Sequence, residues 1–309
     1  MDFRDFKTGS DDVGRRLDKV IRIFIPDAAL TNIYKSLRKG LIKVNGAKVK
    51  PDYRINENDV IQIASFLAEQ GTPALAQVSK SGKNIPVLDK KWIVFENEHI
   101  LILNKPAGIN VHSAQKDEVS LQELVLAYYN SKKNNDSLSF KPGPLHRIDK
   151  YTQGLVCFSM STPGAQWFSK NMAEHNIKKT YLAVVEGKVE KSELWTDRIE
   201  KLEDKEEGFH TSVIDQNADK ECITKITPLE VLSSSDFVLT RAQFDIQTGR
   251  HHQIRAQSAF HGHPLYGDTA YGGHKTKDNK GQFYLAACRI EFPQNDLGIP
   301  QKIELFPEI

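Results

Sequence analysis

The last two thirds of the sequence carry more β-strand patterns than helix patterns, and this feature most constrains the fold. Strand patterns span 100–103, 155–159, 179–185, 223–231, 237–246 and 285–292. Several of them are joined by short connections, which favour antiparallel neighbours in a sheet. We therefore predict an α+β fold whose larger domain has a mixed, largely antiparallel β-sheet flanked by helices and loops, rather than a doubly wound parallel sheet.

Two helices are predicted in the same region. Ser120 and Glu123 form a capping box that opens a helix running to about Lys132. Thr162 followed by a proline starts a second helix that runs to about His175. The charge-rich segment 186–207 reads as a solvated excursion between strands.

The N-terminal part has its own compact pattern. The polar residues 1–12 are predicted to form a flexible arm. Helical spacing gives the next segment one apolar stripe, made of Leu17, Val20, Ile21 and Phe24. A second helix is expected over 32–39, capped by Thr31 and ended by Gly40. Alternation across 41–50 around Asn45-Gly46 predicts a hairpin, and 59–63 supplies a further strand.

The 309 residues suggest two domains, and the composition excludes several classes. Apolar residues make up 39% of the chain, but none of its apolar runs is long enough for a membrane span. The N-terminus does not resemble a secretory signal. The three cysteines are far apart and form no C-x-x-C pair, which points to a reducing, cytoplasmic location.

The charges are distributed unevenly along the chain. Residues 13–66 hold eleven Lys or Arg and five Asp or Glu, a net charge of +6, while the rest of the chain carries −4. Such asymmetry is expected when one part of a protein binds a polyanion, although a solvated basic face is the alternative. Residues 67–91 read as a Gly-, Pro- and Ser-containing linker, and a second domain is predicted over 92–309.

The segment 144–155, P-L-H-R-I-D-K-Y-T-Q-G-L, gathers side chains suited to catalysis before a buried strand. Loops at strand ends commonly hold catalytic groups, but a turn in which Asp149 caps backbone amides is the alternative. A kinase catalytic loop fits poorly, because Ile148 separates Arg147 from Asp149.

A second cluster, T-G-R-H-H-Q-I-R-A-Q, spans 248–257. On a helix, His251 and Arg255 would share one face because they are four residues apart. Five histidines in 251–274 raise the possibility of a metal site. Ordinary hydrogen bonding is favoured, because Arg250 and Arg255 would repel a cation and the cluster supplies neither Cys nor carboxylate ligands.

The N-terminal pattern resembles the α-L RNA-binding module, a fold shared with a small-subunit ribosomal protein. The resemblance rests on R-L-D-K at 16–19 and I-Y-K-S-L-R-K-G-L-I-K-V-N-G at 33–46. It implies an RNA-binding domain over 13–66, with a protein-interaction domain as the alternative. The cations expected to bind RNA phosphates are Arg16, Lys35, Arg38, Lys39, Lys43 and Lys48.

Segment 146–155, H-R-I-D-K-Y-T-Q-G-L, resembles the H-R-L-D-x-x-T-S-G-L motif of the RluA-type pseudouridine synthases. Four more segments are similar to the same family and in the same order: N-K-P-A-G at 104–108, K-T-Y-L-A-V-V-E-G at 179–187, T-G-R-H-H-Q-I-R at 248–255 and G-H-P-L-Y-G-D at 262–268. An α-L module in front is the arrangement of the RluC and RluD branches.

The resemblance implies an isomerase that converts uridine in RNA to pseudouridine, with large-subunit ribosomal RNA as the expected substrate. Transfer RNA, or a non-catalytic role in RNA binding or ribosome assembly, are the alternatives. Asp149 would be the essential aspartate, Arg255 would pair with it and lower its pKa, and Tyr181 would stack on the uracil. Substrate binding is assigned to a further set: Arg147, Lys105, Arg250 and His146. We expect a monomer that requires no metal, nucleotide or other cofactor.

Overall fold

The computed structural model of the chain describes residues 2–71, 85–113, 118–132, 137–203, 210–233, 237–276 and 283–306. The helices are α1 Leu17–Phe24, α2 Leu30–Lys39, α3 Ser65–Ala68, α4 Leu121–Lys132, α5 Thr162–Ala173 and α6 Gln253–Phe260. The strands are β1 Phe3–Lys7, β2 Ile42–Val44, β3 Val60–Ala64, β4 Ile93–Glu96, β5 Ile100–Lys105, β6 Gly143–Pro144, β7 Gln153–Ser159, β8 Lys178–Glu186, β9 Glu193–Glu203, β10 His210–Ile214, β11 Lys220–Ser233, β12 Val238–Ile246, β13 Leu285–Glu291 and β14 Lys302–Glu304.

The N-terminal region packs α1 and α2 against a three-stranded antiparallel sheet in the order β1-β3-β2. The four residues of the predicted apolar stripe of α1 are all buried, which confirms that helix. Helix α2 ends at Gly40, whose φ of 73° is the left-handed conformation that glycine adopts readily.

Three expectations for this region are wrong. Residues 1–12 are not a flexible arm, because β1 pairs with β3 and Phe6 packs against Phe24 with ring centroids 4.8 Å apart. Thr31 lies inside α2 rather than capping it. The Asn45-Gly46 turn forms, with both residues at positive φ, but its return strand is reduced to one bridge because β2 takes β3 as its main partner.

The second region is built on an eleven-stranded sheet, which confirms the predicted fold class. Nine strands follow the order β10-β9-β11-β12-β8-β13-β7-β5-β4, while β14 pairs with β13 and β6 with β7. Among the described residues, β13 and β7 form the one parallel pair. The capping box of α4 forms as predicted, since the backbone N–H of Ser120 donates to the Glu123 carboxylate at 2.8 Å.

The charge-rich segment 186–207 is not a solvated excursion over its described part, because half of the segment is strand β9; residues 204–207 lie outside the described residues. Trp195, Asp197 and Ile199 alternate inward and are buried, while Thr196 and Arg198 between them are exposed. The buried Asp197 is satisfied there, since it accepts hydrogen bonds from Gln257 and His261. A polar residue on the inward face disrupts the alternation by which a half-buried strand is recognised.

Buried hydrogen bonds join the N-terminal region to the larger sheet region. Asp12, which has no exposed surface, accepts hydrogen bonds from the hydroxyls of Ser137 and Ser139 at 2.8 and 2.7 Å. Asp11 accepts one from the backbone N–H of Thr162 at 2.7 Å, at the start of α5. Leu138 packs into the apolar core of the N-terminal region. These contacts fix the N-terminal region against the sheet region.

The predicted linker 67–91 lies partly outside the described residues. Its described ends are packed, since Ala68 belongs to the N-terminal core and Leu88 to the core of the larger sheet. The boundaries 13–66 and 92–309 therefore stay predictions. Of the helices described, none combines the length and the apolar character that crossing a bilayer takes.

Candidate active site

A cavity of about 420 Å³ opens beside the sheet where the 144–155 loop, strand β8 and the start of α6 meet. This volume is typical of small-molecule sites. Asp149 is the one carboxylate among the described residues that line the cavity. The cations that line it are Arg147, Lys179, Arg250 and Arg255. A cavity with this charge favours an anionic ligand.

Asp149 lies in the loop between β6 and β7, and a glycine allows this loop to reach the cavity. Gly154 has a φ of 110°, and a Cβ there would collide with the carbonyl oxygen of Ala287 on β13. Ala287 in turn pairs with Tyr181 on β8. The close approach of β7 and β13 therefore positions the Asp149 loop next to the strand that carries Tyr181.

Arg255 lies close to Asp149, as the resemblance implies, but its hydrogen-bonding partner is Asp268. Its Nε and Nη2 atoms donate to the two carboxylate oxygens of Asp268 at 2.6 and 2.8 Å. The Nη1 atom lies 3.7 Å from Oδ2 of Asp149. The guanidinium also packs between the rings of Tyr271 and Phe283, with its carbon 4.7 and 4.5 Å from their centroids. Arg255 is thus held in place independently of Asp149.

Arg255 lowers the pKa of Asp149 as predicted, but the net pKa of this carboxyl nevertheless lies above its ordinary value. Burial of the carboxyl raises the pKa of Asp149, and the charges of Arg255 and Arg147 act against that rise without reversing it. Geometry limits the effect of Arg255 on this pKa. Its guanidinium lies 3.7 Å from Asp149, while its short hydrogen bonds go to Asp268. The side chain of Asp149 is 19% exposed, and it lines the cavity.

Tyr181 lies on β8 and lines the same cavity, with 7% of its surface exposed. Burial raises the pKa of its phenol, and the charge of Asp149 adds to that rise. The hydroxyl therefore stays protonated near neutral pH. A protonated phenol is a poor proton acceptor.

His252 contacts Asp149 although sequence reasoning did not select it. Helix α6 begins at Gln253, so His251 does not share a helix face with Arg255, and that expectation is wrong. His252 is the N-cap in the left-handed conformation, at a φ of 52°. Its Nε2 lies 3.7 Å from Oδ2 of Asp149, and its Nδ1 bonds the hydroxyl of Tyr271 at 2.9 Å. Strained backbone of this kind is common at functional sites.

The assignment of Lys105 to substrate binding is wrong, because this side chain has no exposed surface. Its ammonium donates to the backbone carbonyls of Pro106, Ile109 and Lys150, each at 2.9 Å. Burial lowers the pKa of Lys105 to about 7, and the charge of Asp149 acts against this lowering. Lys105 therefore ties the N-K-P-A-G loop to the residue that follows Asp149.

The other assigned substrate-binding residues line the cavity. Arg147 and Arg250 are exposed at its mouth, and Arg250 donates to the carbonyl of Glu221 at 2.9 Å. His146 instead shapes the loop: its Nε2 accepts from the backbone N–H of Cys157 at 3.1 Å, and its ring stacks on Phe168. Burial lowers the pKa of His146 to about 3, so its ring is uncharged.

The five histidines of 251–274 are distributed among separate hydrogen bonds rather than gathered into one site. His261 bonds Asp197 and His274 bonds Glu186, at 2.9 and 2.7 Å. The described part of the chain contains no group of three or more potential metal ligands.

The cations assigned to RNA binding lie on the N-terminal region. Lys35, Arg38, Lys39 and Lys48 are exposed, and Lys48 packs its chain over Gly40 at the end of α2. Lys43 sits over the ring of Phe3, with its Nζ 4.7 Å from the centroid. Arg16 is paired with Asp18 at 2.8 Å. The exposed set is therefore clustered around the C-terminal end of α2.

A family model described as RNA pseudouridylate synthase matches residues 99–260, which is more than half of the chain. The chain therefore belongs to this family and is an isomerase that acts on RNA. It is also similar to proteins named ribosomal large subunit pseudouridine synthase C. The one from Rickettsia bellii is 28% identical over 303 residues, covering 96% of each chain. The one from Escherichia coli K12 is 26% identical over 310 residues, covering 96% of this chain and 90% of the relative.

Solved structures share the fold. Human RNA pseudouridylate synthase domain containing 1 superposes with a TM-score of 0.54 at 22% identity, covering 70% of this chain and 82% of that one. Human RNA pseudouridylate synthase domain containing 4 also gives a TM-score of 0.54, at 16% identity, covering 71% and 88%. At these identities the likeness concerns the fold.

Proposed function

We propose that this protein converts specific uridines of large-subunit ribosomal RNA to pseudouridine, with Asp149 as its catalytic carboxylate. The observation that carries the assignment of the site is the position of Asp149. Asp149 is the one carboxylate among the described residues that line a cationic cavity, which it shares with Tyr181. It lies 3.7 Å from the guanidinium of Arg255, which other contacts hold in place.

The reaction breaks the N1–C1′ bond of the uridine, turns the released uracil and joins its C5 to C1′. C5 then loses its hydrogen as a proton and N1 takes up a proton, so that the product is an isomer of the substrate. A base inside folded RNA must leave its stack to reach the cavity. The ring of Tyr181 offers a face on which the extruded uracil stacks. Asp149 then acts on the ribose or the base as an ionised group, either as nucleophile or as proton acceptor.

Arg255 and Arg147 stabilise the ionised form of Asp149 in this proposal. Burial favours the neutral carboxyl, so nearby positive charge is needed to keep the carboxylate. Because Arg255 is bound to Asp268, it supplies charge without occupying both oxygens of Asp149. Those oxygens remain available to the nucleotide.

The N-terminal region supports a large, structured RNA as the substrate. Its exposed cations can bind phosphates while the hydrogen bonds of Asp11 and Asp12 hold it against the sheet region. The relatives named as synthases of the ribosomal large subunit cover both regions of this chain. We expect the protein to act as a monomer in the cytoplasm, where ribosomal RNA of bacteria is found.

The test is to map pseudouridines in total RNA from cells with and without this protein. Cells lacking it would be complemented with the wild type, with Asp149→Asn, or with Glu118→Gln as a control. Glu118 pairs with the neighbouring Lys150 in a half-exposed ion pair outside the cavity. We expect large-subunit ribosomal sites to disappear without the protein and to return with the wild type and the control only.

Each other outcome contradicts a stated part of the proposal. Loss of sites in transfer RNA alone would overturn the ribosomal substrate. Unchanged pseudouridines in all RNAs would overturn the enzymatic function and leave an RNA-binding role. Restoration by Asp149→Asn would overturn the role of Asp149. The purified variant should bind RNA within a few-fold of the wild type, so that its failure to restore the sites reflects the chemistry.

A further inference from the structure

Lys179 is a half-buried cation that lines the active-site cavity and has no role in the proposed reaction so far. It lies two residues before Tyr181 on β8, so both side chains point to the same face of the sheet and both line the cavity. Its ammonium lies against the 248–250 turn, where a Cβ at Gly249 would be 3.2 Å from Nζ. Its neighbour Lys178 is exposed on the opposite face.

Within the described ranges, the ammonium of Lys179 makes neither an ion pair nor a hydrogen bond. Burial lowers its pKa, and the only group acting against this is Cys157, whose own pKa burial raises so that the thiol stays neutral. Partial burial removes some of the hydration of this cation without giving it a protein partner, and this costs free energy. An anionic ligand in the cavity would offset that cost.

The spacing of Lys179 from Tyr181 indicates which part of the substrate supplies that anion. Two residues along a strand span about 6.6 Å. A uracil stacked on Tyr181 has its ribose next to its ring and its phosphates one step further away. The carbonyl oxygens of the base would lie over the tyrosine itself, whereas a flanking phosphate can reach Lys179.

We propose that Lys179 binds a backbone phosphate of the extruded uridine and thereby positions the nucleotide between Tyr181 and Asp149. This inference rests on the proposed function. It assigns the phosphate contact inside the cavity to Lys179, a role that buried Lys105 does not fill. The exposed Arg147 and Arg250 remain at the mouth, where they meet the RNA outside the cavity.

The experiment measures single-turnover pseudouridine formation on a short RNA substrate by wild type, Lys179→Gln, Lys179→Arg and the control Lys178→Gln. A second RNA of the same sequence carries a neutral methylphosphonate in place of the phosphate on the 5′ side of the target uridine, and the 2′-hydroxyl of the preceding nucleotide is removed. Its control is the RNA that lacks only that hydroxyl. For the 3′ side, strands that end at the target with or without a 3′-phosphate are compared. Thermal unfolding of each variant is recorded.

We expect Lys179→Gln to lower the rate at subsaturating RNA by about 10- to 100-fold, the usual effect of losing a charge-assisted hydrogen bond. Lys179→Arg should recover most of this loss, and Lys178→Gln should stay within twofold of the wild type. On the RNA that lacks the contacted phosphate, wild type and Lys179→Gln should react at the same rate. If the two rates become equal in the 5′ comparison, Lys179 contacts the 5′ phosphate; if they become equal in the 3′ comparison, it contacts the 3′ phosphate.

Wild-type rates in Lys179→Gln would overturn the proposal. So would an equal loss on every RNA, because Lys179 would then act on the base or on the fold rather than on a phosphate. If Lys179→Gln unfolds at a lower temperature than the wild type, Lys179→Met, which keeps the length of the side chain, replaces it in the same comparison. A wild type that forms no pseudouridine would contradict the proposed function instead.

Discussion

Arg255 binds Asp268 through two hydrogen bonds, at 2.6 and 2.8 Å, in an ion pair in which both residues are buried. This pair orients the guanidinium so that its remaining nitrogen faces Asp149 from 3.7 Å. If Arg255 bound Asp149 with the same two hydrogen bonds, the carboxylate would be held against the protein. With Asp268 as the partner, Asp149 receives the positive charge but stays free to meet a substrate.

Asp268→Asn should therefore impair both stability and catalysis. Replacing one member of a buried ion pair leaves the other charge uncompensated, so the free energy of unfolding should fall by roughly 3 kcal/mol. Turnover should also fall, because Arg255 becomes able to bind Asp149 directly. Urea unfolding and kcat on a short RNA measure the two effects. Glu118→Gln, which breaks a half-exposed pair, should cost at most about 1 kcal/mol. Equal losses in the two variants would contradict the role of Asp268.

The pH dependence of turnover should follow the raised pKa of Asp149. If the ionised carboxyl is the active form, kcat rises with pH through this pKa, at a higher pH than for an ordinary carboxyl group. The charge of Arg147 lowers the pKa of Asp149, so Arg147→Gln should move this acid limb to still higher pH. The profile is measured at saturating RNA and low ionic strength, because salt screens exposed charges. Arg250→Gln, at the same cavity mouth, serves as the control. A limb that moves to lower pH in Arg147→Gln would contradict this assignment.

Asp12→Ala should weaken the attachment of the N-terminal region. The substitution leaves the buried hydroxyls of Ser137 and Ser139 without their acceptor, which typically costs 1–3 kcal/mol, here about 2 kcal/mol. Thermal unfolding measures the change, and limited proteolysis should show faster release of the N-terminal region. Asp5→Ala removes an exposed aspartate of β1 and should leave both properties unchanged. Unaltered stability of Asp12→Ala would mean that these hydrogen bonds do not hold the two regions together.

The exposed cations near the end of α2 should determine the salt dependence of RNA binding. Replacing Lys35, Lys39 and Lys48 by Gln removes three potential phosphate contacts. The slope of log K against log salt concentration should then flatten by about 2 for single-stranded RNA. Binding measured between low and moderate salt gives the slope. The control replaces three exposed lysines of the sheet region, Lys191, Lys220 and Lys225. An unchanged slope in the first variant would exclude this surface as the RNA-binding face.

Much of the fold follows from local patterns of the sequence. The stripe of α1, the capping box of α4 and the buried run of β5 are each encoded within a few neighbouring residues, and the structure confirms them. The failures fall where a distant partner decides the conformation. Strand β1 is recognisable only when paired with β3, and β9 is obscured by Asp197, whose partners Gln257 and His261 are some sixty residues away.

The ordered motifs of the sequence by themselves determined the family of this protein and the residue types of its active site, because those motifs are continuous segments. Only the tertiary structure decided what the individual charges do. In the folded protein Lys105 is buried and donates to three backbone carbonyls, Arg255 binds Asp268, and Lys179 lines the cavity. Hydrogen bonds and burial depend on which segments meet in space, and a side chain's pKa and partners are set there rather than by its neighbours along the chain.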